Sequence, residues 1–344
     1  MKMFGSDNFS GVHPRVFEEL ARVNEGHVVA YGDDDYTREA VDILQREDLL
    51  GTNCDIMFTW NGTGTNVVAL SALVRPFESV ICPATAHINN DECAAPEHIA
   101  GLKLVPVQTP DGKLTPELIE PCLSVVGFEH AAQPRVISIS NSTEEGTIYS
   151  PDELKALCDY AHQHNLLVHC DGARIANAVV GNDCTLYDLT AGAGIDALSL
   201  GGTKNALMGA EAVVLFGDAR NRFLFMIRKS SGQMPSKMRF VAAQFSAMYR
   251  DGLWRECAAN ANDMAQRLVK GLSESGIELT KEIHSNEVFA ILPEPLIEPL
   301  QKKYHFYTWN ETTHEMRFVT SWDTRAEEID ALVADVRGLL AAQR

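Results

Sequence analysis

Asp171 and Lys204 are the residues whose types and spacing could do chemistry: each follows a short apolar run, and they lie 204 − 171 = 33 residues apart. The first run, Leu166-Leu167-Val168-His169-Cys170, leads into Asp171-Gly172-Ala173-Arg174. The second, Ile195 to Leu200, leads into Gly201-Gly202-Thr203-Lys204-Asn205. Short apolar runs bounded by glycine read as buried parallel strands, and open α/β sheets hold ligands beyond the carboxyl ends of such strands. An amine and a carboxylate at that edge suit pyridoxal phosphate: the amine forms a Schiff base, and the carboxylate keeps the pyridine nitrogen protonated so that the ring accepts electrons. Taken singly, an Asp at a strand end is a turn or cap residue and a Lys after Gly-Gly is a solvated loop. Their neighbours have to decide.

Trp60-Asn61-Gly62-Thr63-Gly64-Thr65-Asn66 follows a candidate strand and opens an apolar helix over Val67–Val74. Glycines let backbone N–H groups approach an anion, and a helix N-terminus favours negative charge; Thr63 and Thr65 would add hydroxyl donors. A dinucleotide fingerprint fits less well, because Val67 stands where the third Gly belongs and no acid falls near Cys82 to Thr85. One phosphate fits better than a dinucleotide. His87, in Thr85-Ala86-His87-Ile88-Asn89-Asn90-Asp91-Glu92, could stack on a planar ring or exchange protons near neutrality. Asp91, four residues on, shares its face if the stretch is helical. Arg174 and Arg317 carry planar forks suited to a carboxylate; Arg317 lies in the apolar stretch Glu315-Met316-Arg317-Phe318-Val319, where an unpaired charge is costly. Each could equally form a structural ion pair. His162 and His164 face different sides of a helix and read as surface residues, with no metal site expected.

The elements that must position these residues alternate. Candidate strands are Asp55–Thr59, Ser79–Ile81, Lys103–Val107, Arg135–Ser140, Leu166–His169, Ala197–Leu200 and Ala212–Phe216, with helical stretches between most of them. Helices are also expected over Pro14–Asn24 and Thr37–Leu49, and Ser150-Pro151-Asp152-Glu153 is a helix start with a capping box. Such alternation implies a largely parallel sheet covered on both faces. After Phe216 the pattern turns to helices over Arg239–Arg250 and Trp254–Ser275, then short strands and a terminal helix capped by Thr324-Arg325-Ala326-Glu327. The expected division is an N-terminal segment and large domain over residues 1–240 and a small α/β domain over 241–344. The chain has 344 residues, 45% hydrophobic and 22% charged, with a formal net charge of −18. That balance argues against nucleic-acid and anionic-membrane partners, which need basic surfaces. The eight cysteines are scattered without paired spacing, there is no long apolar run, and the first residues lack a signal-peptide core, so the cytoplasm is expected.

Assembled in order, these residues resemble the low-specificity L-threonine aldolases of the β-eliminating lyase group, PLP-dependent enzymes of fold type I. The resemblance covers nearly the whole chain and rests on Ser6-Asp7-Asn8, Tyr31-Gly32-Asp33-Asp34, Gly62-Thr63-Gly64, Ala86-His87, His169 to Arg174, Thr203-Lys204-Asn205 and Arg317. It implies a large domain with a mainly parallel seven-stranded sheet between helices, plus a small C-terminal α/β domain. It implies a carbon–carbon lyase (an aldehyde-lyase) that cleaves L-threonine, L-allo-threonine and related β-hydroxy-α-amino acids to glycine and an aldehyde. By the same resemblance Lys204 carries the cofactor and Asp171 partners its ring nitrogen. Gly62 and Thr63 form part of its phosphate cup, Thr203 also binds the cofactor, and His87 stacks over its ring. Ser6, Arg174 and Arg317 hold the substrate carboxylate, Asp91 and His130 lie near its hydroxyl, and a homotetramer is implied in which Tyr31 and the Arg228-Lys229 region reach a neighbour's site. Asn8 replaces a more usual Thr and the Asn141 to Gly146 loop varies among members, which bears on substrate range. The competing readings are another PLP-dependent β-eliminating lyase or an amino-acid racemase, and further off a nicotinamide-dependent oxidoreductase.

Overall fold

The computed structural model describes residues 2–343. All seven expected strands form, and they form one sheet: β1 (Cys54–Thr59), β2 (Glu78–Pro83), β3 (Lys103–Val107), β4 (Gln133–Ser140), β5 (Leu167–Gly172), β6 (Ala197–Gly201) and β7 (Glu211–Phe216). Their spatial order is β1-β7-β6-β5-β4-β2-β3. The pairs from β6 across to β3 are parallel, whereas β7 runs antiparallel to both β6 and β1. Parallel strands covered on both faces must be apolar throughout, which is why Val136, Ile137, Val168, Cys170 and Leu198 are buried. One edge of the sheet thus gathers the carboxyl ends of β1, β2, β4, β5 and β6 together with the start of β7. An antiparallel strand begins where its neighbours finish, so Glu211 arrives at that edge from the opposite direction.

Helix Gly62–Leu73 is apolar on all sides and buried over most of its length, as a helix packed on a sheet and beneath other elements must be. Helix Pro151–Gln163 starts with the expected capping box: the Ser150 hydroxyl accepts the Glu153 N–H at 3.2 Å, and the Glu153 carboxylate accepts the Ser150 N–H at 2.8 Å. The terminal helix, Ala326–Ala342, is capped one residue later than expected. There the Glu328 carboxylate accepts the Arg325 N–H at 3.2 Å, while the Thr324 hydroxyl turns back to accept the N–H of Ser321 at 2.9 Å. Thr324-x-x-Glu327 has the right composition, but Thr324 is used by the preceding turn.

The apolar interior divides into clusters, and the division falls later than residue 240. Helix Arg239–Tyr249 packs wholly into the large core through Val241, Phe245 and Met248, and that core continues to Ala258. A second core begins at Ala265, so we place the boundary within helix Leu253–Glu274, whose two halves serve different cores. The earliest residues depart from the expected division too. Lys2–Met3 forms a parallel strand against Tyr304–His305, and Phe4 is buried in the second core. The small sheet pairs Tyr307–Asn310, Glu315–Val319, Glu287–Ile291 and Glu278–Leu279 antiparallel.

Strand register builds a buried polar ladder under the functional edge. His169 on β5 is wholly buried, its Nδ1 2.9 Å from the Ser138 hydroxyl on β4 and its Nε2 2.9 Å from the Ser199 hydroxyl on β6. Burial pushes the His169 pKa down to about 4, although nearby Asp171 pulls it the other way. An unfolded histidine takes its proton near pH 6.5, so between there and pH 4 the unfolded chain binds a proton that the folded one refuses. Stability should therefore fall as pH falls through that window, by up to roughly 3 kcal/mol. His169→Gln should remove this part of the slope when urea midpoints are compared between pH 7 and pH 4. Equal slopes in parent and variant would mean that His169 is not held neutral.

Candidate active site

At the carboxyl edge lies a cavity of about 470 Å³ lined by Gly62, Thr63, His87, Asp91, Asp171, Arg174, Thr203 and Lys204, among others. Eight of the twelve residues expected at the site therefore share one space. Its floor is helix Gly62–Leu73, capped by the Asn61 side chain, which accepts the Gly64 N–H at 2.8 Å. The Thr65 N–H bonds the Asn61 carbonyl. That leaves the N–H groups of Gly62 and Thr63 as the free donors of the first turn, with the Thr63 hydroxyl beside them. Thr65 does not contribute as expected: its hydroxyl is buried between the Thr59 hydroxyl at 2.6 Å and the Asn61 carbonyl at 2.7 Å. Gly64 serves packing, since a Cβ there would lie 2.1 Å from the Gln233 side chain, which accepts the Trp60 N–H.

Asp171 ends β5 with both oxygens engaged. Oδ2 accepts the Asn66 amide at 2.8 Å and Oδ1 the Ala173 N–H at 3.0 Å. Burial alone would raise its pKa, but the Asn66 hydrogen bond and the charges of Lys204 and His87 outweigh that and hold it below the usual carboxylate range. Lys204 rides on the turn after β6. Its amine has no hydrogen bond or ion pair among the described residues, and burial, then the charge of Arg174, lowers its pKa. Glu211, reaching the cavity from the start of β7, accepts the Gly202 N–H at 2.8 Å, and burial raises its pKa to about 7.

The arginines form one network with two buried acids. Arg174 grips Asp7 through Nε at 2.7 Å and Nη2 at 3.0 Å, and its Nη1 lies 3.5 Å from Glu287. Arg317 donates to that same Glu287 oxygen through Nε and Nη2. Asn286 donates to Asp7 at 3.1 Å, and Arg174 with Lys204 holds the Asp7 pKa down to about 2 against its burial. Arg317 thus meets the cavity only through Glu287 and does not line it. Ser6 also stands off, its hydroxyl capping the turn Asp7–Phe9 by accepting the Asn8 N–H at 3.1 Å, while Asn8 itself lines the cavity. Tyr31 and His130 are exposed and outside this chain's cavity; His130 sits in a turn against the edge of Phe128. Sequence reasoning passed over Asn66, Glu92, Glu144, Glu211, Asp7 and Glu287. Asn66, Glu92, Asp7 and Glu144 all lie inside stretches quoted above, so polar residues next to a candidate motif are the available signal. Nothing in the sequence pairs Glu287 with Arg317, which meet diagonally across paired strands.

Polar atoms left without partners around the cavity, Asn66 Oδ1, Glu92 Oε2, Ser142 Oγ and Glu144 Oε2, mark it as a ligand site. His87, Glu92 and Asp171 place ligand-type atoms within 4.8 Å of one another. The Asn66 amide bridges the two carboxylates, so hydrogen bonding accounts for the grouping.

A β-eliminating lyase family model matches residues 4–295, and the chain belongs to that family. It is 40% identical to a low-specificity L-threonine aldolase of a Pseudomonas species over 99% of both chains, and 39% identical to the enzyme of that name from Pseudomonas aeruginosa, again over 99% of both. A threonine aldolase structure from Leishmania major superposes with a TM-score of 0.94 at 33% identity, covering 99% of this chain and 100% of that one. The family uses pyridoxal phosphate, and the residues fit it: an unpaired, half-buried amine, an ionised carboxylate and two free N–H groups at a helix start share the cavity.

Removing one member of a buried ion network leaves the others uncompensated, which costs roughly 3–5 kcal/mol. Glu287→Gln should destabilise the fold by that order, because Glu287 is the carboxylate on which both arginines converge. Arg337→Ala, which breaks an exposed pair with Glu274, should cost under about 1 kcal/mol. Urea midpoints compare the two; similar losses would show that Glu287 is not anchoring the network.

Proposed function

We propose that this chain is a pyridoxal-phosphate-dependent aldolase that cleaves the Cα–Cβ bond of L-threonine, L-allo-threonine and related β-hydroxy-α-amino acids, releasing glycine and an aldehyde. The observation that carries this reading is the unpaired Lys204 amine in one cavity with ionised Asp171 and Arg174. When bound, pyridoxal phosphate supplies an electron-accepting ring for the electrons of the breaking bond.

The chain's own residues supply the rest. Lys204 would hold the cofactor, and its lowered pKa makes the free amine more available near neutrality. Asp171, kept ionised by Asn66 and the Ala173 N–H, would hold a proton on the ring nitrogen. Gly62 and Thr63 would hold the phosphate at the helix start. Arg174 orients the substrate carboxylate, Arg317 supports it through Glu287, and fixing that group orients the scissile bond. A base must take the proton of the β-hydroxyl. The candidates are His87, Asp91, His130 and a bound water; His87 and Asp91 line this chain's cavity and His130 does not.

We extend the proposal to a homotetramer with shared sites. It is supported by the exposed side chains of Val29, Tyr31, Trp60, Phe225 and Met226, and by Lys229 lying 5.3 Å above the Tyr31 ring. A cytoplasmic setting is supported by eight free cysteines, and no helix among the described residues is long and apolar enough to cross a membrane.

Aldehyde release from L-threonine and L-allo-threonine tests the reaction, alongside racemisation and β-elimination, which would use the same cavity but break a different bond. Lys204→Ala should abolish all three while leaving the fold intact, and near-normal turnover in that variant would overturn the assignment. Asp171→Asn should keep the fold and lose ~2.7–4 kcal/mol of transition-state stabilisation, roughly a hundred- to thousandfold in kcat. An unchanged kcat would place another residue at the ring nitrogen.

A further inference from the structure

Glu92 has no exposed side-chain surface and plays no part in the steps above. Its Oε1 faces two donors, the Asn66 amide at 2.7 Å and His87 Nδ1 at 2.8 Å. An amide nitrogen carries two hydrogens, and the second one of Asn66 goes to Asp171 Oδ2 at 2.8 Å. One hydrogen-bonded chain therefore runs from His87 through Glu92 and Asn66 to Asp171. Imidazole is a stronger base than a carboxylate by roughly two pKa units in water, so the proton between Glu92 and His87 sits on Nδ1. Nε2 is then the free nitrogen of a half-buried ring whose backbone N–H is tied to the Glu144 carboxylate at 2.9 Å.

We propose that Glu92 is a positioning residue that fixes His87 with its proton on Nδ1, so that Nε2 is the atom that takes the proton of the substrate hydroxyl. The role given to Nε2 rests on the aldolase reading; the hold of Glu92 on the ring does not. Charged groups face His87 from several elements: Asp171 at the end of β5, Lys204 after β6, Glu144 after β4, and Asp91 and Glu92 on its own segment. The hydrogen bond to Glu92 comes first among the effects that raise the His87 pKa, followed by the negative charge of Asp171, while burial and Lys204 oppose them.

The test is the 15N spectrum of histidine-labelled protein across pH, with the His87 resonances identified by their loss in His87→Asn. In the parent, neutral His87 should be the Nδ1–H tautomer and titrate above the ordinary imidazole value. Glu92→Gln keeps an acceptor oxygen but removes the charge, so the His87 pKa should drop by about one unit. A base must be unprotonated to act, so the acidic limb of kcat/KM for L-threonine should move to lower pH by the same amount. kcat should fall about tenfold or more with KM within about twofold, and Glu92→Asp should restore part of both changes. An unchanged His87 titration in folded Glu92→Gln, or an Nε2–H tautomer in the parent, would overturn the proposal. If Glu92→Gln does not fold, the same spectrum of Glu92→Asp decides, because a carboxylate set back by one methylene should shift the tautomer ratio, and an unshifted ratio overturns it. A His87 shift without any aldehyde release would uphold the Glu92 contact and remove the aldolase reading instead.

Discussion

A carboxylate that must stay charged while buried is the constraint on which the rest of the site depends. Burial acts against ionised Asp171, and the fold opposes it with an amide hydrogen from Asn66, the Ala173 N–H and the positive charge of Lys204. Each comes from a different place: the first helix after β1, the turn after β5 and the turn after β6. No local segment could meet that demand, because donors within one turn cannot surround a side chain that leaves the end of a strand. Parallel strands solve it by delivering several turns to the same edge. The sheet order and the ionisation of one residue are in that sense a single problem.

A second balance holds the arginines. Two guanidinium groups side by side would repel each other, and Glu287 and Asp7 neutralise them before any substrate arrives. On the proposed reading, a substrate carboxylate would meet donors already fixed in place, so that little ordering would remain to be done on binding. Arg174 follows β5 of the seven-stranded sheet, while Glu287 and Arg317 lie on paired strands of the small sheet, so the ion network joins the two sheets.

The strands were legible because buried parallel strands are continuous apolar runs, and the seven expected ones are the seven observed. What the sequence does not carry is strand direction. β7 reads like its parallel neighbours, yet it enters the sheet antiparallel, and for that reason Glu211 was overlooked: expectation places functional residues after strands, and Glu211 precedes one. Lys204 and Asp171 were readable from their own surroundings. Glu92, Asp7 and Glu287 were not, since a carboxylate's meaning lies in its partner, and the partner of Asp7 is 167 residues away. Thr65 failed differently: its hydroxyl is the right chemistry in the right turn, but the helix start itself consumes it. Ser6, Tyr31 and His130 enter by resemblance alone, and Arg317 also by its fork in an apolar stretch; in this chain all four stand behind the cavity or outside it.

The placement of the first residues has a consequence for how the protein is made. Lys2–Met3 pairs with Tyr304–His305, the Phe4 carbonyl accepts the Val319 N–H, and Lys2 bonds Glu328. Asp7, which completes the Arg174 pair, follows directly on that anchored segment. A ribosome adding roughly 5–20 residues per second finishes the large sheet well before residue 328 emerges. Through that interval Lys2–Met3 has no partner strand, and the segment that carries Asp7 is not yet anchored. On the proposed reading, the half of the cavity that anchors substrate is therefore a product of late translation, assembled when Lys2–Met3 meets Tyr304–His305. A nascent polypeptide can shape the cavity around Lys204 and Asp171 early, but it gains an anchored Asp7 beside Arg174 only after residue 305 has been made.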